Sequence, residues 1–186
     1  AYWVLCEYLR KRGEKRRAAA VHRLDRDTSG VMVFAKSEEI KRRLMEGWNE
    51  SVLERRYIAL AEGSFDAEEG LVDAPLGEDA GGRVVVVPGG LPARTRWRRL
   101  GEGCGYTLLE LELETGRRNQ IRAHLAYLGR PVAGDAKYGA RRDPAGRLAL
   151  HAESLAFAHP RDGRSLRFEV PAPPSFRKAL SPSRGR

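Results

Sequence analysis

The 186-residue chain is poor in the features that most readily betray a function. It has two cysteines, Cys6 and Cys104, far apart, so neither a disulfide framework nor a zinc knuckle is suggested. The longest apolar run is six residues, Ala1–Cys6, and a membrane-crossing helix needs about 20. No signal-peptide pattern is visible, so a cytoplasmic location is expected. Internal repeats and domain linkers are lacking as well, and this length predicts one domain with a sizeable core. Acidic residues are outnumbered, 25 against 34 Lys and Arg, which gives a net charge of +9 and a pI near 10.0. A clustered positive field attracts polyanions, and nucleic-acid contact is the expectation it raises. An apolar fraction of 41% with three Trp, six Tyr and five Phe is that of an ordinary globular enzyme.

Along the chain, Val4, Leu5, Tyr8 and Leu9 fall at helical spacing and Gly13 provides a stop. The overlapping LRKRGEKRR holds six basic residues in nine and reads as a mobile, phosphate-seeking loop or a solvated charged face. GVMVFAKS has the content of a buried strand. In EEIKRRLMEGWN, Ile40, Leu44 and Trp48 recur every four residues behind Ser37 as N-cap, predicting an amphipathic helix. RYIALAEG, VVVVP and ARTRWRRL read as strands. In YTLLELELET, Leu109, Leu111 and Leu113 alternate with Glu110, Glu112 and Glu114, the mark of a half-buried antiparallel strand. RRNQIRAHLAYLG returns to a helical period, with Ile121, Leu125 and Leu128 inward and Gly129 after the last turn. LALHAESLAFAHP and SLRFEVP supply the last strands, and the chain from about Pro174 reads as a basic, loosely held tail. The fold class expected is α+β, a mixed and largely antiparallel sheet flanked by helices and loops.

Chemistry concentrates in VHRLDRDTSG, Val21–Gly30. Its two carboxylates fit several roles: solvated turn residues, metal ligands, a paired acid and base, or a nucleophile. Metal binding is disfavoured by the flanking arginines and by the lack of a second cluster that completes a site, although His124 and Asp135 exist. A glycosidase-like pair is the stronger enzymatic option. Asp27 is most simply the capping residue of the DTSG turn. Asp25 follows Leu24, a core anchor by pattern, and cations on either side suit it to nucleophilic or electrostatic work. A structural Asp–Arg pair remains the competing account of this segment alone.

HRLDRDTSG, then ERRYIAL, then TGRRNQIRAHLAYLGRPVAGDAKYG, together resemble the RluA-type family of RNA pseudouridine synthases. The likeness runs in order from about Val21 to Phe176 and includes LALHAESLAFAHP and FEVPAPPSF. It implies the pseudouridine synthase catalytic fold over residues 1–175, with a basic tail at 176–186. It implies Asp25 as the catalytic aspartate, Arg23 as the side chain that fills the space of an extruded nucleotide, and Tyr57 against the target uracil, helping to remove the C5 proton. Arg122 would orient Asp25 by a two-pronged contact, and Leu125 would wall the pocket. Arg26, Arg118 and Asn119 are further RNA- or base-contacting candidates. Family members carry Thr or Lys and then His where this chain has Arg118 and Asn119, so altered substrate contacts are expected there. The customary opening strand with its Lys-Pro pair, and an S4 RNA-binding domain, have no counterpart before Val21.

The activity implied is isomerisation of uridine in ribosomal or transfer RNA, by a monomer without metal, cofactor or membrane. The alternatives are a non-catalytic RNA-binding module on the same scaffold and a base-releasing glycosidase.

Overall fold

Two long strands with buried apolar centres, Val52–Glu62 and Tyr106–Leu113, pair antiparallel at the centre of the molecule. The computed structural model describes residues 2–15 and 17–182. The N-terminal part comprises α1 (Tyr2–Lys11), β1 (Ala19–Ala20), β2 (Ser29–Gly30), β3 (Phe34–Ala35), α2 (Glu38–Glu46) and α3 (Trp48–Ser51). The centre comprises β4 (Val52–Glu62), β5 (Glu69–Asp73), β6 (Leu76–Glu78), β7 (Val84–Val86), β8 (Arg94–Gly103), β9 (Tyr106–Leu113) and α4 (Gln120–Tyr127). β10 (Leu150–Ala158), β11 (Ser165–Glu169) and α5 (Pro174–Lys178) complete it.

The main sheet runs β11-β10-β4-β9-β8-β5 with antiparallel neighbours, and β2 adds to β10 in parallel. This is the expected α+β architecture with a largely antiparallel sheet. β4 lies in the middle, where Tyr57 is opposite Leu111 on one side and Ala152 on the other. Ile121 and Leu125 of α4 join Leu109 and Leu111 of β9 in the largest core cluster. A second cluster seats α2 through Leu44, Val21, Leu155 and Phe157, and a third joins the β6–β7 hairpin to Ala123 and Tyr138.

The helix expected after Ser37 forms with its cap, the Ser37 hydroxyl accepting from the Ile40 amide at 3.3 Å. It does not continue to Asn49, because Gly47 leaves helical geometry and a separate turn starts at Trp48. GVMVFAKS is not one strand. Its backbone donors go to separate partners: the Val33 amide donates to His22 Nε2, and the Val31 amide to the Ala152 carbonyl at the end of the β2–β10 pairing. α1 forms, but Val4 and Tyr8 are 72% and 52% exposed and Leu9 is its buried residue. Leu128, expected inward, is exposed at the end of α4, where Gly129 at φ +69° ends the helix.

The largest correction concerns the C-terminal segment. Pro174–Lys178 is helical, and Phe176 is fully buried in the main core with Ile58 and Leu108. The alternation in β9 left Leu108 on the supposed solvent face, and α5 is what covers it. Residues 183–186 of the expected tail lie outside the described residues. Phe176→Ala is expected to cost about 3–5 kcal/mol, read by urea unfolding; a loosely held tail would show no change.

Candidate active site

Val21–Gly30 is pinned at both ends, so that Asp25 projects from a fixed turn. At one end the His22 ring stacks on Trp48, centroids 5.3 Å apart, while its Nε2 accepts from Val33 at 3.0 Å. Burial lowers the His22 pKa, which keeps the ring neutral and able to accept. At the other end the Ser29 hydroxyl meets His151 Nδ1 at 2.8 Å, and His151 Nε2 donates to the Val170 carbonyl at 2.9 Å. Gly30, at φ +119°, lies so close to β10 that a Cβ would collide with the Ala152 carbonyl; only glycine supplies both the conformation and the clearance. Arg147 donates to the Asp27 carbonyl at 2.9 Å. The Asp27 side chain is exposed, and it is the Asp25 carbonyl that closes the turn, accepting from Thr28 at 3.0 Å.

The Asp25 carboxylate faces α4 and the loop before it. Asn119, held at φ +52°, donates its amide nitrogen to both Asp25 oxygens at 2.8 Å in the orientation that satisfies both ends of the amide. The amide oxygen then accepts from the Tyr138 hydroxyl at 3.3 Å. Arg122 Nη1 lies 3.6 Å from Asp25 Oδ2. The two-pronged contact expected between these two is made elsewhere: Arg122 Nε and Nη2 donate to Asp135 at 2.6 and 2.8 Å. Its guanidinium lies 4.8 Å above the Tyr138 ring. The hydrogen bonding that Arg122 donates to Asp135, assisted by both carboxylates' fields, raises the Arg122 pKa against the cost of burial. Arg122 is thus a fixed cation, oriented by Asp135 and aimed at Asp25 with the corner left over.

A cleft of about 310 Å³ opens beside Asp25, lined by His22, Arg23, Arg55, Tyr57, Arg117 and Arg118 among others. An adjoining cavity of about 60 Å³ shares Asp25 and Tyr57 with it, takes in Arg122, and is walled by Leu24, Leu113, Ile121 and Leu150. Burial pushes the Tyr57 phenol up to about 12, with Arg55 opposing and Asp25 adding to the shift. At neutral pH Tyr57 is an aromatic wall with a protonated hydroxyl. Arg23 stands exposed at the cleft rim, whereas Arg26 is exposed on the turn and is not among the lining residues. Arg118 lines the cleft while bound to Glu78 at 2.9 Å and to the Gly82 carbonyl at 3.0 Å. Leu125 does not wall the pocket; it is buried in the core, and Ile121 occupies that role one turn earlier. The Arg118–Asn119 departure therefore reaches the Asp25 carboxylate itself through Asn119, not only the substrate contacts expected of it.

Reasoning from sequence missed Asp135 as the partner of Arg122, and also Tyr138, Arg55 and Arg117. Asp135 and Tyr138 stand together in GDAKYG, but no periodicity ties them to Arg122. Gln120 is scaffold: its amide oxygen accepts from Thr115 and Arg117, and its nitrogen donates to the Arg94 carbonyl and Thr95. His124 extends this network, meeting the Thr95 hydroxyl through Nδ1 at 2.8 Å and the Ala74 carbonyl through Nε2 at 3.0 Å. Among the described residues no group of three or more His, Cys, Asp or Glu is placed to hold a metal ion.

Burial lowers the His124 pKa. The unfolded chain, titrating near about 6.5, therefore binds the proton more readily than the folded one. Stability is complete above that value and declines as pH falls through it toward the depressed folded value, with His22 acting in the same direction. Urea unfolding at pH 7.5 and 5.5 is expected to show this loss, and His124→Gln to reduce it. A pH-independent midpoint would contradict the neutral, buried imidazole.

Residues 4–127 match the family model described as RNA pseudouridylate synthase. The chain is 44% identical over 172 residues to an uncharacterized RNA pseudouridine synthase of Chloroflexus aurantiacus, covering 90% of this chain and 54% of the relative. It is 42% identical to ribosomal large subunit pseudouridine synthase D of Nitrosomonas europaea, with 84% and 48% covered. It is 38% identical to ribosomal large subunit pseudouridine synthase C of Vibrio cholerae, with 88% and 55% covered. The chain thus spans about half the length of these curated relatives. Among solved structures, human RNA pseudouridylate synthase domain containing 1 superposes with a TM-score of 0.76 at 25% identity, covering 88% of this chain and 74% of that one. Human RNA pseudouridylate synthase domain containing 4 gives the same TM-score and identity, covering 95% and 80%.

Proposed function

The chain belongs to the RNA pseudouridylate synthase family, and from that premise we propose that it isomerises uridine to pseudouridine in structured RNA, with Asp25 acting on a flipped-out nucleotide. The observation that carries this is the Asp25 carboxylate, held by Asn119 and faced by Arg122, at the wall of a basic cleft that also presents the Tyr57 ring. The reaction breaks the N1–C1′ bond, turns the freed base, forms C5–C1′, removes the proton at C5 and leaves one on N1. It is redox-neutral and consumes no co-substrate. What it needs is a carboxylate that attacks C1′ or C6, or that stabilises positive charge at C1′.

Each neighbour has a physical task in this scheme. Arg122, fixed by Asp135, sets a positive charge against the Asp25 carboxylate and helps to aim it. Tyr57 offers an aromatic face to the extruded base, and such stacking is worth about 1–3 kcal/mol. Its hydroxyl, still protonated at neutral pH, can accept the C5 proton only while passing its own on. Arg23 at the rim fills the gap in the RNA and offsets part of the cost of extrusion, about a few kcal/mol.

Ribosomal RNA is the target class we favour over transfer RNA, because two of the relatives are named for the large ribosomal subunit. Pseudouridine maps of cellular RNA with and without the gene test this. One or a few large-subunit uridines are expected to lose modification, with transfer RNA unchanged; a loss confined to transfer RNA would overturn the ribosomal assignment.

A further inference from the structure

Most arginines of the main sheet are neutralised where they stand. Arg56 is ringed by Glu54, Glu110, Glu153 and Glu169, of which Glu110 also pairs with Arg98 and Glu54 with Arg167, and Arg94 and Arg96 share Glu114. Arg55 is the exception. Strand alternation sends it to the opposite face from Arg56, the face of Tyr57, and among the described residues no carboxylate lies within ion-pairing distance of it. It is half-buried, and burial draws its pKa down with only Tyr57 opposing. Its guanidinium lies over Gly116, with Nη1 2.5 Å from where a Cβ would stand. Gly116 thus leaves the space that the side chain occupies.

A partly desolvated cation without an anion is costly to keep. This one lines the same cleft as Asp25 and Tyr57. We propose that Arg55, seated over Gly116, is the receptor for a backbone phosphate flanking the flipped uridine. The proposal rests on the RNA reading above and adds the contact that would set the depth and register of the target nucleotide. A guanidinium suits the task because its fork matches two phosphate oxygens at once. The positioning phosphate would supply the counter-charge that the protein omits.

The test uses the full chain, a stem-loop RNA with a single uridine in its loop, and two versions of that RNA in which a neutral methylphosphonate replaces the phosphate on either side of the uridine. Wild type is expected to lose about ten- to a hundredfold in affinity for one of the two neutral versions. Arg55→Met should bind the native RNA weaker by a similar factor, ignore that same replacement, and flatten the log–log salt slope by about 0.7. Gly116→Ala, which displaces the guanidinium, should fall between the two.

Thermal unfolding separates this role from a structural one. Removing an unpaired buried charge should leave the melting temperature of Arg55→Met unchanged or higher, and Arg55→Lys should retain part of the discrimination. The proposal is overturned if Arg55→Met discriminates among the RNAs as wild type does, or if it melts earlier with RNA affinity intact. Pseudouridine is measured in the same samples. Phosphate-dependent binding without isomerisation would overturn the enzymatic assignment and leave the Arg55 seat standing.

Discussion

Asp25→Asn is expected to lower pseudouridine formation by about ten-thousandfold or more, the scale on which deletion of a reacting group acts, while RNA affinity and melting temperature stay near wild type. The substitution is nearly isosteric: it removes the charge and replaces one acceptor oxygen by an NH2, leaving one oxygen to accept from Asn119. The turn does not depend on the carboxylate, since the Asp25 carbonyl is what accepts from Thr28. Arg122 keeps both of its hydrogen bonds to Asp135. The anchors at His22, Ser29 and Gly30 are untouched. What is lost is the group able to bond to, or stabilise charge on, the sugar or base. Measured by nuclease digestion and nucleoside quantification under single-turnover conditions, an Asp25→Asn enzyme within tenfold of wild type would leave the carboxylate without a chemical role. A collapse of melting temperature would show instead that it is structural.

Asp135→Asn is expected to damage both stability and rate. The Asp135 side chain is 2% exposed and Arg122 13%, so their pair is buried. Breaking such a pair from one side costs about 3–5 kcal/mol, because the remaining charge loses its counter-ion inside the protein. The freed guanidinium has one carboxylate within reach, Asp25, already 3.6 Å away. Collapsing onto it would tie up the oxygens the reaction requires. A rate loss of about a hundredfold is expected, the upper range for residues that orient a reacting group through another, with KM little changed. The double variant Arg122→Met with Asp135→Asn should regain part of the stability, because no orphaned charge remains, but none of the activity. Additive losses of stability would mean that the two side chains do not act as a pair.

Single elements were well marked in the sequence, and their partnerships were not. The period-two alternation of β9, the helical period of α4 and the apolar stretch of β4 form where pattern placed them, and the Ser37-capped α2 starts where expected but stops at Glu46. Asp25, Tyr57 and Arg122 converge on one cleft, as the three motifs implied. Failures arose where a long-range partner decides the outcome. Residues 31–33 have strand composition, yet His22 and Ala152 take two of their amides. Phe176 sits in a basic, proline-rich stretch and reads as tail until Ile58 and Leu108 are known to need a cover. The carboxylate for Arg122 was assigned to the motif that held the other functional residue. Asp135, thirteen residues on from Arg122, takes the bidentate place because it stands just before the turn Ala136–Tyr138, which faces α4, with its carboxylate making no cap bond of its own. Arg55 has no sequence signature apart from its neighbour, since only the structure shows which of two adjacent arginines lacks a glutamate.

On the proposed function, this cleft shifts the glycosidic attachment of the uracil ring from N1 to C5 without releasing the ring. RNA carrying tritium at C5 of uridine tests it most directly. Wild type should liberate tritium to solvent in step with pseudouridine appearing in the digest, one for one, with no free uracil. Tritium retained throughout, or uracil released from an abasic RNA, would contradict the account.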